Sequence, residues 1–88
     1  MAKLEKLIRK VLSGMADKNI RFEELRLLLR NMNFDERVKG SHHIFTRKGV
    51  EEIINLQAAG GGKAKPYQVK QIRNLITQYK LLKTDEKE

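Results

Sequence analysis

Lys39-Gly40-Ser41-His42-His43-Ile44-Phe45 is the stretch on which the fold turns. Glycine followed by serine, set between two runs of mixed apolar and polar residues, reads as a two-residue hairpin turn. Glycine supplies the positive φ that such turns need. This predicts strands over residues 34–39 and 42–47. Lys48-Gly49 repeats the signal eight residues later and predicts a third strand over 52–57. Strand side chains alternate between faces, so His42 shares a face with Ile44 and His43 shares the opposite face with Phe45. One histidine should point toward a covering layer and the other away. Ile44 and Phe45 are both credible core residues, so the pattern leaves open which.

Working outward, helical spacing flanks the strands on both sides. Leu4, Leu7, Ile8, Val11, Leu12 and Met15 recur at intervals of three and four, predicting an amphipathic helix over 3–15 that stops near Ser13-Gly14. Asp17-Lys18-Asn19 is a polar break. A second helix is expected over 22–32, with Phe22, Leu25, Leu28, Leu29 and Met32 facing inward. Its start is weakly marked, because Arg21 stands where Ser or Asp would cap; Glu23 and Glu24 still suit the positive helix end. Asn31-Met32-Asn33 closes it. After a loop over 58–65 with three consecutive glycines, Pro66 suits a first helical turn. The last helix is expected over 66–82 with Val69, Ile72, Leu75, Ile76 and Tyr79 buried, and 84–88 as a polar tail. The order α-α-β-β-β-α predicts an α+β domain: a three-stranded antiparallel sheet with helices on one face.

The chain has 88 residues, the size of one domain. A chain this short buries only about 60–65% of its unfolded surface, which favours a surface groove over a deep cavity. Without cysteine, disulfides and thiolate chemistry are excluded. No apolar run is long enough for a signal peptide or a membrane span. A soluble, cytoplasmic chain is expected. Net charge is +8, from 19 Lys and Arg against 11 Asp and Glu. Its distribution is uneven: Lys63, Lys65, Lys70, Arg73, Lys80 and Lys83 fall in an acid-free run over 53–84. Such a surface attracts polyanions and gains affinity by releasing their counterions. An acidic protein partner would also suit the charge.

The two histidines lie among Arg37, Lys39, Arg47 and Lys48, with no acid over 37–50. Imidazole can accept and donate protons near neutral pH. Gly60-Gly61-Gly62-Lys63 is not a phosphate-binding P-loop, because Gln57 stands in place of its first glycine and Ala64 in place of its Ser or Thr. Adjacent histidines on a strand point apart and cannot share one metal ion, so no metal and no cofactor is expected. Ser41 beside His42 in sequence does not make a serine triad. RNA cleavage fits better, because RNA brings its own nucleophile, the 2′-hydroxyl. The enzyme then needs a base, for which His42 is the candidate, and cations such as Lys39, Arg47 or Lys63 for the crowded phosphate. The competing reading of the pair is one core or hydrogen-bonded histidine and one surface histidine.

Three blocks together resemble the HicA family of toxins from prokaryotic toxin–antitoxin pairs. They are Gly40-Ser41-His42-His43-Ile44-Phe45, then Ile54-Asn55-Leu56-Gln57, then Gly62-Lys63-Ala64-Lys65-Pro66-Tyr67-Gln68-Val69-Lys70-Gln71-Ile72-Arg73. The likeness covers about residues 20–80. It implies a fold like a double-stranded-RNA-binding domain, endonuclease cleavage of messenger RNA (an mRNA interferase) and a HicB-type antitoxin as partner. It also implies His42 as the catalytic histidine, with Lys39, Ser41, His43 and Arg47 as supporting candidates. On this reading residues 19–83 form the toxin domain and 1–18 an added helical extension. Lys63, Lys65, Lys70 and Arg73 sit where such domains contact phosphates. The runner-up is a non-catalytic RNA-binding module, and a third class is a protein-binding adaptor.

Overall fold

The computed structural model describes residues 2–82, and side chains from Leu4 onward. The predicted tail over 84–88 lies outside the described residues. The elements are α1 (Ala2–Ser13), α2 (Phe22–Asn31), β1 (Asp35–Lys39), β2 (His42–Arg47), β3 (Val50–Leu56) and α3 (Pro66–Tyr79). Short 3-10 turns lie at Asp17–Asn19 and Gly60–Gly62. The strands form one antiparallel sheet in the order β1-β2-β3. The α+β class and the element order are as the sequence predicts.

The turn chemistry is local and specific. Lys39 pairs with His42 across Gly40-Ser41, and Gly40 has φ +60°. Nothing lies within 4 Å of a β-carbon built on Gly40, so its constraint is conformational and not steric. A β-branched residue there is disfavoured by about 1–2 kcal/mol. Gly40→Val is therefore expected to lower the urea midpoint by that equivalent, and Gly40→Asn by less. A valine variant as stable as wild type would contradict the turn's role.

α2 begins on a carboxylate. Glu24 Oε1 reaches back to accept the Arg21 backbone N–H at 2.9 Å, which replaces the missing Ser or Asp cap. It ends in a Schellman arrangement: Asn33 has φ +69°, its N–H bonds Arg30 O, and Phe34 N–H bonds Leu29 O.

The core is a single cluster. Phe22, Leu25, Leu28 and Leu29 of α2, Phe45 of β2, Ile54 and Leu56 of β3, and Val69, Ile72, Leu75 and Ile76 of α3 are all buried in it. Phe45 is therefore the inward residue of the Ile44/Phe45 pair, and the sheet's other face is open. Leu7 and Val11 join the same core, so the N-terminal helix packs as part of the domain. Arg73 reinforces this. Its guanidinium donates to Val11 O and to both Asp17 carboxylate oxygens at 2.9–3.2 Å, and it lies over Gly14, where a β-carbon would come within 3.3 Å.

Three expectations are corrected. The first helix stops at Ser13, as Ser13-Gly14 predicts, with Gly14 at φ +73°; it is the apolar stripe that is corrected, because Met15 is 90% exposed and Leu12 is exposed, so the buried stripe ends at Val11. The last helix stops at Tyr79, because Lys80 takes a left-handed cap at φ +52° and Leu81 N–H bonds back to Ile76 O. Tyr79 is only half-buried, its hydroxyl donating to Glu52 Oε1 at 2.6 Å. β3 begins at Val50 and not at 52.

Candidate functional site

His42 and His43 meet different environments because strand alternation sends them to opposite faces. His43 follows Phe45 to the inner side. Its ring is 18% exposed, packs edge-on against Phe22 at 4.9 Å, and donates from Nδ1 to Glu36 Oε2 at 2.7 Å. Glu36 also accepts two bonds from Arg26, at 2.6 and 3.0 Å, and Arg30 stands 3.9 Å away. The fork-to-fork pair with Arg26 is the strong element. It holds the Glu36 carboxyl below its ordinary range, with His43 assisting, and raises the Arg26 guanidinium.

This network has a pH signature. A carboxylate with a depressed folded pKa contributes stability above its unfolded value, here about 4.5, and loses it as pH falls through the folded value. Glu36→Gln is thus expected to lower unfolding free energy by about 2 kcal/mol at pH 7. The gap to wild type should close as pH drops below 4.5. Equal urea midpoints at pH 7 would contradict it.

His42 is exposed on the outer face. Its Nδ1 lies 3.1 Å from Asn55 Oδ1. A side-chain carbonyl oxygen only accepts, so Nδ1 is the donor in this contact, and in the neutral ring the lone pair falls to Nε2. An Asn that orients an imidazole in this way also serves Cys-His-Asn hydrolases. The β2–β3 register pairs Ile44 with Asn55, and its continuation places Gln57 opposite His42. Gln57 Nε2 donates to Ser41 Oγ at 3.1 Å. Lys39, exposed, is the direct cross-strand partner of His42 on the same face, with β-carbons about 5 Å apart. Past Lys39 the outer face carries a groove of about 420 Å³ lined by Asp35, Arg37, Lys39, Ile44, Thr46 and Ile53. A larger groove, about 710 Å³ along α2, contains none of the candidate residues.

The start of α3 is locked to this corner. Gln68, its one buried polar residue, donates from Nε2 to Asn55 O at 2.9 Å, and Gln57 N–H points at its Oε1 at 3.4 Å. The N-terminal turn of α3 therefore abuts the end of β3, the strand that pairs with β2 at its His42 end. Lys63 and Lys70 are exposed there and Lys65 is half-exposed. Arg21 adds a further cation: it bridges Lys63 through the backbone, and its guanidinium lies 3.7 Å from a β-carbon built on Gly62.

The predicted residues thus divide. His42, Lys39 and Ser41 come together, with the start of α3 beside them. His43 lies on the opposite face, committed to Glu36. Arg47 sits at the far end of β2, about 16 Å along the strand from His42, with a buried guanidinium nitrogen that has no partner among the described residues. Arg73 faces Asp17 and α1, not the lysines, and is corrected from phosphate contact to tertiary clamp. Asn55, Gln57, Gln68 and Arg21 were not singled out from sequence. The alternation of amides at 55 and 57 on one strand face was the available signal for the first two. Among the described residues no group of three or more His, Asp or Glu is placed to hold a metal ion. No helix there is long and apolar enough to cross a membrane. No family model, curated protein or solved structure matches the chain.

Proposed function

We propose that the protein is a HicA-type toxin: an endoribonuclease that cleaves messenger RNA with His42 as base, held in check by a HicB-type antitoxin. The observation that carries this reading is the exposed His42 imidazole, oriented by Asn55 so that Nε2 faces outward. Nε2 removes the 2′-hydroxyl proton, O2′ attacks the adjacent phosphorus, and the P–O5′ bond breaks. The products are a 2′,3′-cyclic phosphate and a 5′-hydroxyl, whose oxygen takes up a proton on leaving. Lys39 stands where a cation would offset charge on the crowded phosphate. Three features support the reading: the acid-free start of α3, the three sequence blocks that resemble the family, and an α2-β1-β2-β3-α3 order read as double-stranded-RNA-binding-domain-like.

A basic RNA-binding module without catalysis is the second reading, favoured by the exposure of Lys63 and Lys70 beside α3. Incubating purified protein with single-stranded RNA in EDTA separates them. Cleavage supports the nuclease; binding without cleavage supports the module; neither would leave a protein-binding role. Both RNA readings predict that Lys63→Glu with Lys65→Glu weakens binding and flattens its dependence on salt. Each lost phosphate contact lowers the log–log slope on single strands by about 0.7. An unchanged slope would place the RNA elsewhere.

A further inference from the structure

Tyr67 is 64% exposed, and it is the only aromatic side chain on the surface among the described residues that is not hydrogen-bonded into the fold or buried in the core. It is the second residue of α3, directly before Gln68. Gln68 is tied to the Asn55 carbonyl, and the Asn55 side chain holds His42. Tyr67 therefore adjoins in sequence the residue that ties α3 to the sheet, while its own ring turns about 100° around the helix from Gln68 and into solvent. Its neighbours are cations: Lys65 precedes it by two residues, and Lys70 follows at i+3, on the same side of the helix. α3 contains no acid, and Tyr67, Lys70, Asn74 and Thr77 form an exposed row along it.

Tyr67 is not one of the side chains that pack against the core, and most of its surface stays in water. An aromatic face set among cations matches the chemistry of one ligand class. Single-stranded nucleic acid presents phosphates for the lysines and unpaired bases for the ring, and base–aromatic stacking is tolerant of sequence. A duplex offers the phosphates but keeps its bases stacked on one another. The other exposed large apolar side chains, Leu12, Met15, Leu27, Val38 and Ile53, lie on α1, the connection after it, α2 and the sheet, so Tyr67 is not part of an apolar patch on α3 of the kind that anchors a protein partner.

Resting on the ribonuclease reading, we infer that Tyr67 is a stacking platform for an unpaired base of the bound strand, and that it selects single-stranded over double-stranded RNA. The test compares full-length protein carrying His42→Ala, so that RNA survives, with the same protein also carrying Tyr67→Ala or Tyr67→Phe. Affinity is measured for a single-stranded RNA and for its duplex. Tyr67→Ala is expected to weaken single-strand binding about 5- to 150-fold, leave duplex binding and the salt slope unchanged, and leave the thermal midpoint unchanged. Tyr67→Phe keeps the ring and is expected to bind as the parent does. Equal single-strand affinity of the alanine variant overturns the inference while the ribonuclease reading stands. Equal loss on single strand and duplex, or loss in the phenylalanine variant, also overturns it. A parent that binds no RNA removes the ribonuclease reading and the inference with it.

Discussion

His42→Ala is expected to reduce RNA cleavage by about 10²- to 10⁴-fold, the usual contribution of one positioned acid–base group. The loss should fall on the chemical step. The ring is exposed, and its hydrogen bond within the protein is to Asn55, also exposed. Truncation leaves no buried group unpaired, so stability should change by no more than about 0.5 kcal/mol. Lys63, Lys65 and Lys70 are untouched, so RNA affinity should persist. Cleavage rate, thermal midpoint and RNA affinity measured on one preparation check all three. A variant that cuts as fast as wild type would remove His42 from the mechanism.

The second large effect concerns stability. Phe45 is fully buried at the centre of β2, where the sheet meets the helices. Phe45→Ala removes a ring from a packed site and leaves a cavity, at a cost of about 3–5 kcal/mol. Small domains hold only about 5–15 kcal/mol in total. The thermal midpoint should therefore fall by at least about 12 °C. Ile44 sits next to it in sequence but on the open face, so Ile44→Ala serves as the control and should cost far less. A fall of under about 4 °C for Phe45→Ala would contradict the placement of the core.

Much of this architecture was legible because its signals are local. Gly40-Ser41 and Lys48-Gly49 fix two hairpins, and the 3.6-residue spacing marks the buried faces of α2 and α3. The pairing of Glu36 with His43 was accessible in principle. A two-residue turn at Gly40-Ser41 sets Val38 opposite His43 and Glu36 opposite Phe45, which makes Glu36 the diagonal, same-face neighbour of His43. That carboxylate lies one residue outside the acid-free run over 37–50.

Other features had no local signal. The β2–β3 register shifts by two residues between Phe45 and Arg47. A two-residue shift keeps every side chain on its face, so Asn55 shares the His42 face in either register. Only the structure shows that it sits diagonally, opposite Ile44. Arg73 looked like one more cation in an acid-free run. Its partner Asp17 is 56 residues away in sequence, and only the packing of α1 on α3 brings them together. The end of α3 was equally silent, because a lysine at position 80, not a glycine, takes the left-handed cap.

The central claim is that an imidazole on an open strand face draws the proton from a ribose hydroxyl, and the substrate itself offers the most direct test. One RNA sequence is prepared in its natural form and with every 2′-hydroxyl methylated, and wild-type protein is added to each in EDTA. The account predicts that the natural strand is cut to 2′,3′-cyclic phosphate and 5′-hydroxyl ends, while the methylated strand is bound and stays whole. Scission of the methylated strand would contradict it, because no proton would remain there for His42 to take.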